Sequence, residues 1–235
     1  LETAVTFEDY LRSYLTEHVD QNKSGLPIVS GAVGYFSYEY GRKMMKVSSH
    51  KENLVTIPDA LLVFYDMYII EDCHEKKTYL VANGVTEDAE KRIESVEEHL
   101  AESLKEKKQA PGWLFNIEVT PNFEKEEYKR AVDDMIRYII EGDIYITNMT
   151  QQLSVKSEKK PLDVFYDLRK NNPSPFGGYM DYGDFQIVCA SPERFLKMRK
   201  GHINTRPIKG TRKRGETKEE DLLMRTELEN SEKDK

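Results

Sequence analysis

Cysteine, tryptophan and long apolar runs are what this chain has least of. Its 235 residues hold two cysteines and one tryptophan. Two thiols at positions 73 and 189 do not make a disulfide framework, so Cys73 and Cys189 are expected as buried free thiols in strand-like segments of a protein in the reducing cytoplasm. No apolar run approaches the roughly 18 residues that span a bilayer; residues 60–64 end at Tyr65 and Asp66, which excludes a membrane-spanning segment. No signal peptide is visible, and the chain opens on Leu1 rather than Met, so an upstream segment is expected to be missing. Positive charge is also in deficit. A formal net charge of −7 disfavours nucleic acid as the main partner, because neutralising phosphates needs a clustered basic face. Internal repeats and low-complexity tracts are lacking as well. The usual chemical signatures are missing too: no His-Glu-x-x-His, Cys-x-x-Cys, phosphate-binding P-loop or Gly-x-Gly-x-x-Gly, and no nucleophile elbow to support a Ser-His-Asp arrangement. The histidines at 18, 50, 74, 99 and 202 show no ligand spacing. Most ordinary hydrolases and dehydrogenases are thereby excluded.

What is present argues for a folded chain despite 33% charged residues and a mean hydropathy of −0.69. Its apolar share of 38% includes 14 Tyr and 9 Phe. Thr6 with Asp9 three residues on reads as the cap of an amphipathic helix over 6–20. Residues 31–40 read as a glycine-bearing aromatic strand. Two further strands are expected over 60–70 and 77–82, joined as a hairpin, and a charged helix over 86–108. The break at Gln109-Ala110-Pro111-Gly112 divides the chain into regions 1–112 and 113–235. The second region is expected to hold a strand over 113–119, a strong helix over 124–141 capped by Gly142, and a long polar strand over 144–155. A short helix over 161–170 and strands over 176–182 and 185–190 follow. A charged helix begins near Glu216 and meets no Gly or Pro stop before Lys235, which reads as a cut edge. Hairpin-connected strands with segregated helices predict an α+β protein, an antiparallel-sheet sandwich with helices outside, rather than a doubly wound sheet.

Chemistry concentrates between Asn172 and Thr211. Ser191-Pro192-Glu193 has the form of a helix start, in which Glu193 either complements the helix dipole or, if buried or set beside an anion, serves as a general acid. Lys209 lies between Ile208 and Gly210 and is flanked by Arg206, Arg212, Lys213 and Arg214. It is either one cation of a solvated basic loop, an amine whose pKa is lowered enough to act as a nucleophile, or part of a carboxylate- or phosphate-binding cluster. Gly210 would let backbone approach a ligand closely. Residue types and spacing leave these alternatives open.

In order along the chain, Gly34-Tyr35-Phe36-Ser37-Tyr38-Glu39, Gly142-Asp143-Ile144-Tyr145, Asn172-Pro173-Ser174-Pro175-Phe176, Ala190-Ser191-Pro192-Glu193-Arg194-Phe195 and Thr205-Arg206-Pro207-Ile208-Lys209-Gly210-Thr211 resemble the chorismate-utilising enzymes. This family includes component I of anthranilate synthase and of aminodeoxychorismate synthase, isochorismate synthase and salicylate synthase. The resemblance covers nearly the whole chain, and it implies the following roles. Pro-Ile-Lys-Gly-Thr marks the aminodeoxychorismate branch of para-aminobenzoate and folate synthesis, where Lys209 would add to C2 of chorismate; anthranilate synthases usually carry Ala there. Glu193 would be the general acid for departure of the C4 hydroxyl, and Gly210 and Thr211 would contact substrate. Asn148 and Gln151 favour the same branch. Ile146 stands where the water-adding members carry a lysine, and where most aminodeoxychorismate synthases carry Gln.

Pro175, Phe176 and Gly177 match a segment that holds tryptophan in relatives, although the upstream segment that completes such a site is absent from this sequence. A glutamine amidotransferase subunit is the implied partner and ammonia donor. Mg2+ is the implied cofactor, its ligands falling after Lys235 and none in this chain. Anthranilate synthase component I is the alternative enzyme. A non-catalytic binding or assembly module is the alternative of another class.

Overall fold

The computed structural model describes residues 5–19, 21–48, 54–103, 118–208 and 210–232. The chain divides into two units, Leu1–Ala110 and Pro111–Lys235.

In the first unit, Thr6 caps α1 (Phe7–Glu17) as its spacing predicts, its hydroxyl accepting the Asp9 amide. The aromatic segment after Gly31 is shorter as a strand than its composition implies. β1 (Ala32–Phe36) stops where the Ser37 side chain accepts the Tyr40 amide, and α2 (Tyr38–Met44) begins. Serine capping overrides the β preference of the two tyrosines. Phe7, Phe36 and Tyr40 form an aromatic cluster, and the Tyr40 hydroxyl donates to the Glu8 carboxylate, which ties α1 to α2. Desolvation, followed by that carboxylate, pushes the Tyr40 phenol up to about 12.

Residues 60–70, expected as one strand, divide at Tyr65-Asp66 into β2 (Ala60–Phe64) and β3 (Met67–Asp72). The two halves pair with different neighbours. β2 lies antiparallel to β1, and β3 makes the anticipated hairpin with β4 (Lys77–Ala82). Cys73 falls in that hairpin's turn and is exposed, so the expectation of a buried strand thiol fails there; Cys189 is half-buried. The third helix, α3 (Ala89–Ser103), starts after Asp88 rather than at Thr86, and the 104–108 part of the expected helix lies outside the described residues.

Thr86 is withheld from that helix by Asp66. The Asp66 carboxylate accepts the Val85 amide at 2.9 Å, the Thr86 amide at 2.9 Å and the Thr86 hydroxyl. These donors, the hydroxyl foremost, hold its carboxyl down at about 2. A depressed carboxyl contributes stability that is complete above the unfolded value near 3.9 and is lost as pH falls toward about 2. Protection of the Val85 and Thr86 amides, relative to their intrinsic exchange rates, is therefore expected to fall between about pH 4 and pH 2. Asp66→Asn should lower it at neutral pH. Equal protection in wild type and variant would show that the carboxylate does not hold this loop.

Gly34 is required by close approach. A Cβ built there would meet the Leu61 carbonyl oxygen deep inside contact distance and the Leu61 carbonyl carbon at 2.9 Å, both of them backbone. Gly34→Ala must displace β2 from β1, with an expected loss of about 1–3 kcal/mol, read as a lowered Tm. An unchanged Tm would contradict the β1–β2 register, in which Gly34 faces Leu62.

The second unit opens with β5 (Val119–Pro121); most of the strand expected over 113–119 lies outside the described residues. The strong helix stands as anticipated. α4 (Lys125–Glu141) carries a Glu124/Glu127 capping box and ends at Gly142 in the left-handed region, φ 84°. The long polar strand does not form: only β6 (Leu153–Val155) pairs, against β5. β5 has three residues; beyond it the Asn122 amide still reaches the Gln152 carbonyl at 3.0 Å, and among the described residues no strand pairs with 144–151.

α5 (Pro161–Asn171) packs on the hairpin of β7 (Phe176–Asp181) and β8 (Gln186–Ser191). A second hairpin, β9 (Arg194–Arg199) with β10 (His202–Arg206), follows it. Thr217 and Glu220 then form a capping box that opens α6 (Lys218–Asn230).

All strand pairs among the described residues are antiparallel, and the α+β class expected from the sequence holds. Apolar side chains gather between paired elements, but none of the described ones is fully buried. No helix among the described residues is long and apolar enough to cross a membrane.

Candidate active site

The segment from Asn172 to Thr211 forms the β7–β8 and β9–β10 hairpins and the arm that leaves them. Ser191-Pro192-Glu193 does not start a helix. Ser191 ends β8, Arg194 begins β9, and Pro192 and Glu193 form the connection. Proline has no N–H for the ladder, so pairing stops there, and the Ser191 hydroxyl is directed to the Glu193 carbonyl at 3.4 Å instead of capping an amide. The helix-dipole reading of Glu193 falls with the helix, and its carboxylate is exposed, so the burial expected of a general acid is not met either.

Glu193 instead has a specific partner. Its exposed carboxylate accepts the backbone N–H of Ile208 through Oε1 at 3.3 Å. Ile208 directly precedes Lys209, which itself lies outside the described residues. One hydrogen bond across 15 residues thus links the candidate acid to the arm bearing the candidate nucleophile.

Gly210 is half-buried in the left-handed region at φ 74°, where a side chain would be strained. Thr211 is exposed, and its carbonyl accepts from Arg212 at 3.0 Å. The basic run then closes on α6. Arg214 grips Asp221 with both Nε and Nη2, and the same carboxylate accepts the Gly215 amide at 3.1 Å. The Arg214 hydrogen bond, with the Gly215 amide behind it, holds the Asp221 carboxyl below its usual range.

Pro175, Phe176 and Gly177 lie at the start of β7. The Gly177 amide donates to the Ser174 carbonyl at 3.1 Å, and a Cβ at Gly177 would come within 3.1 Å of the Cys189 carbonyl. A cleft of about 290 Å3 runs between α5 and this hairpin, lined by Phe165, Leu168, Asn172 and Gly177 among others.

Two residues given no role by the motifs, Arg194 and Asn204, meet beside them. Arg194 donates to the Asn204 side chain at 2.8 Å, and its guanidinium lies 5.2 Å from the centre of the Phe176 ring. The signal for the hairpin that brings them together was available. Lys200-Gly201 sits between two strand-like runs, and both residues take positive φ, 49° and 77°, as a type I′ turn requires.

Among the described residues no three His, Cys, Asp or Glu side chains converge in a way that would hold a metal ion.

The profile of the chorismate binding enzymes matches residues 2–235, and the chain belongs to that family. It is 32% identical over 227 residues to anthranilate synthase component 1 of Spirochaeta aurantia, covering 94% of this chain and 47% of that one. It is 30% identical over 213 residues to aminodeoxychorismate synthase component 1 of Bacillus subtilis (strain 168), covering 87% of this chain and 44% of that one. The fold matches the crystal structure of anthranilate synthase component I from Streptococcus pneumoniae TIGR4 with a TM-score of 0.82 at 24% identity, over 99% of this chain and 52% of that one. The chain spans about half the length of the curated relatives it matches.

Proposed function

We propose that this chain belongs to an aminodeoxychorismate synthase component I, which aminates chorismate at C4 to give 4-amino-4-deoxychorismate. The observation that carries the reading is the lysine of Pro207-Ile208-Lys209-Gly210-Thr211, on an arm whose preceding amide is bonded to Glu193. In the proposed sequence the neutral Lys209 amine forms a bond to C2 and the ring double bonds shift. The C4 hydroxyl leaves as water with a proton from Glu193. Ammonia then bonds to C4, the double bonds shift back, and the C2–nitrogen bond breaks to free the lysine. A covalent group at C2 is what directs the amine to C4. A glutamine amidotransferase subunit is the proposed ammonia donor and cytoplasm the proposed compartment. Magnesium is the proposed cofactor, on ligands outside this chain. Gly210 and Thr211 are the proposed substrate contacts.

Incubating the enzyme at full natural length with chorismate, ammonium and magnesium should yield 4-amino-4-deoxychorismate by mass spectrometry. Anthranilate as product would instead establish the second reading, anthranilate synthase component I, which the 32% identity to the Spirochaeta aurantia protein favours.

A further inference from the structure

β9 is exposed along its length except at Arg194. Its one half-buried residue is a charged one, Arg194, while Phe195 is 84% exposed and Met198 70% exposed. A half-buried guanidinium needs partners, and Arg194 has them on two other strands. One is the Phe176 ring, 5.2 Å away, in the Asn172–Phe176 motif; the other is the Asn204 side-chain oxygen at 2.8 Å on β10. Its own carbonyl takes a third bond, from the Thr205 hydroxyl at 3.2 Å.

The backbone is shaped to allow this. Asn204 faces Lys197, but Arg206 faces Arg194, so β9 carries one extra residue and bulges between them. Bulges re-aim side chains, and this one turns Arg194 onto the same face as Asn204. It also sets Arg206 opposite Arg194 in the ladder. Immediately beyond Arg206, the arm runs through Pro207 to Ile208, whose N–H is the one held by Glu193.

We infer that Arg194 is the positioning residue of this site. It clamps the β9–β10 hairpin to Phe176, so that the arm through Ile208 is held at Glu193. The inference rests on the proposed amination and concerns how its acid and nucleophile are brought together. In this role Arg194 takes no part in making or breaking bonds. It acts through Asn204, Thr205 and the path of residues 206–208.

The test uses the enzyme at full natural length and two independent readouts, steady-state amination of chorismate and hydrogen exchange at the Ile208 amide. Arg194→Ala should lower kcat about 10- to 100-fold, the scale of a misplaced catalytic group, while leaving KM for chorismate within about twofold. Ile208 exchange should accelerate in the same variant. Arg194→Lys keeps a cation for the ring but loses the planar fork, and should fall between. Lys197→Ala, on the same strand, should match wild type in both readouts. If Arg194→Ala does not fold, Asn204→Ala at an exposed position carries the test, with a smaller fall in kcat and the same faster exchange. Unchanged Ile208 exchange in the folded variants would overturn the inference, as would a kcat within twofold of wild type. Should wild type aminate no chorismate, the proposed reaction falls, and the exchange result still decides the clamp.

Discussion

Lys209→Ala in the enzyme at full natural length is expected to abolish the covalent adduct with chorismate and to lower amination on the order of 10^3-fold or more. The size of the effect follows from the role. A nucleophile that forms and breaks a bond to carbon has no substitute in a methyl group, and the remaining contacts supply only binding and orientation. Intact-mass analysis of acid-quenched enzyme should show the adduct in wild type and none in the variant. Lys209→Arg keeps the positive charge but gives up a neutral amine, so it should be as inactive as alanine. A recovery of rate in the arginine variant would reassign position 209 to anion binding, and an undiminished rate in both would refute the nucleophile.

Glu193→Gln should lower kcat by about 10^2- to 10^4-fold, the range associated with a lost general acid. This substitution separates two roles. The glutamine oxygen can still accept the Ile208 N–H that the carboxylate holds at 3.3 Å, so the arm keeps its anchor while the transferable proton is gone. Glu193→Ala removes both, and Ile208 exchange should then accelerate, which it should not do in the glutamine variant. Full activity in Glu193→Gln would leave Glu193 as a backbone tether only, and the proton for the departing C4 hydroxyl would have to come from elsewhere.

Both residues were legible as candidates because their chemistry is written in short contiguous motifs. The helices with strong end signals were legible for a related reason. Thr6 before α1 and Gly142 after α4 are local devices, each satisfying backbone groups within a turn, so a few neighbouring residues decide them. The hairpins β3–β4 and β7–β8 read equally well, since their alternation and turns are also local.

Misreadings arose where partners distant in sequence compete with local preference. Residues 144–152 have strand-like composition, yet a strand needs a ladder, and the short β5 supplies one only to residues 153–155. Ser191-Pro192-Glu193 satisfies a helix-start pattern, but β8 claims Ser191 and β9 begins at Arg194, both through pairing partners that the tripeptide does not contain. Asp66 draws Thr86 out of a helix from 20 residues away.

The sequence alone determined the scarcity of thiols, the lack of a membrane-length apolar run, the α+β class and the ordered motifs that resemble the chorismate-utilising enzymes. These depend on composition, periodicity and contiguous residues, which need no fold to be read. Only the tertiary structure decided that Glu193 sits in a strand connection with its carboxylate on the Ile208 amide. It also decided that Arg194 gathers Phe176 and Asn204. A hydrogen bond across 15 residues and a guanidinium shared between two hairpins depend on register and on a single bulge, and a shift of one residue would send the same side chains to the opposite face.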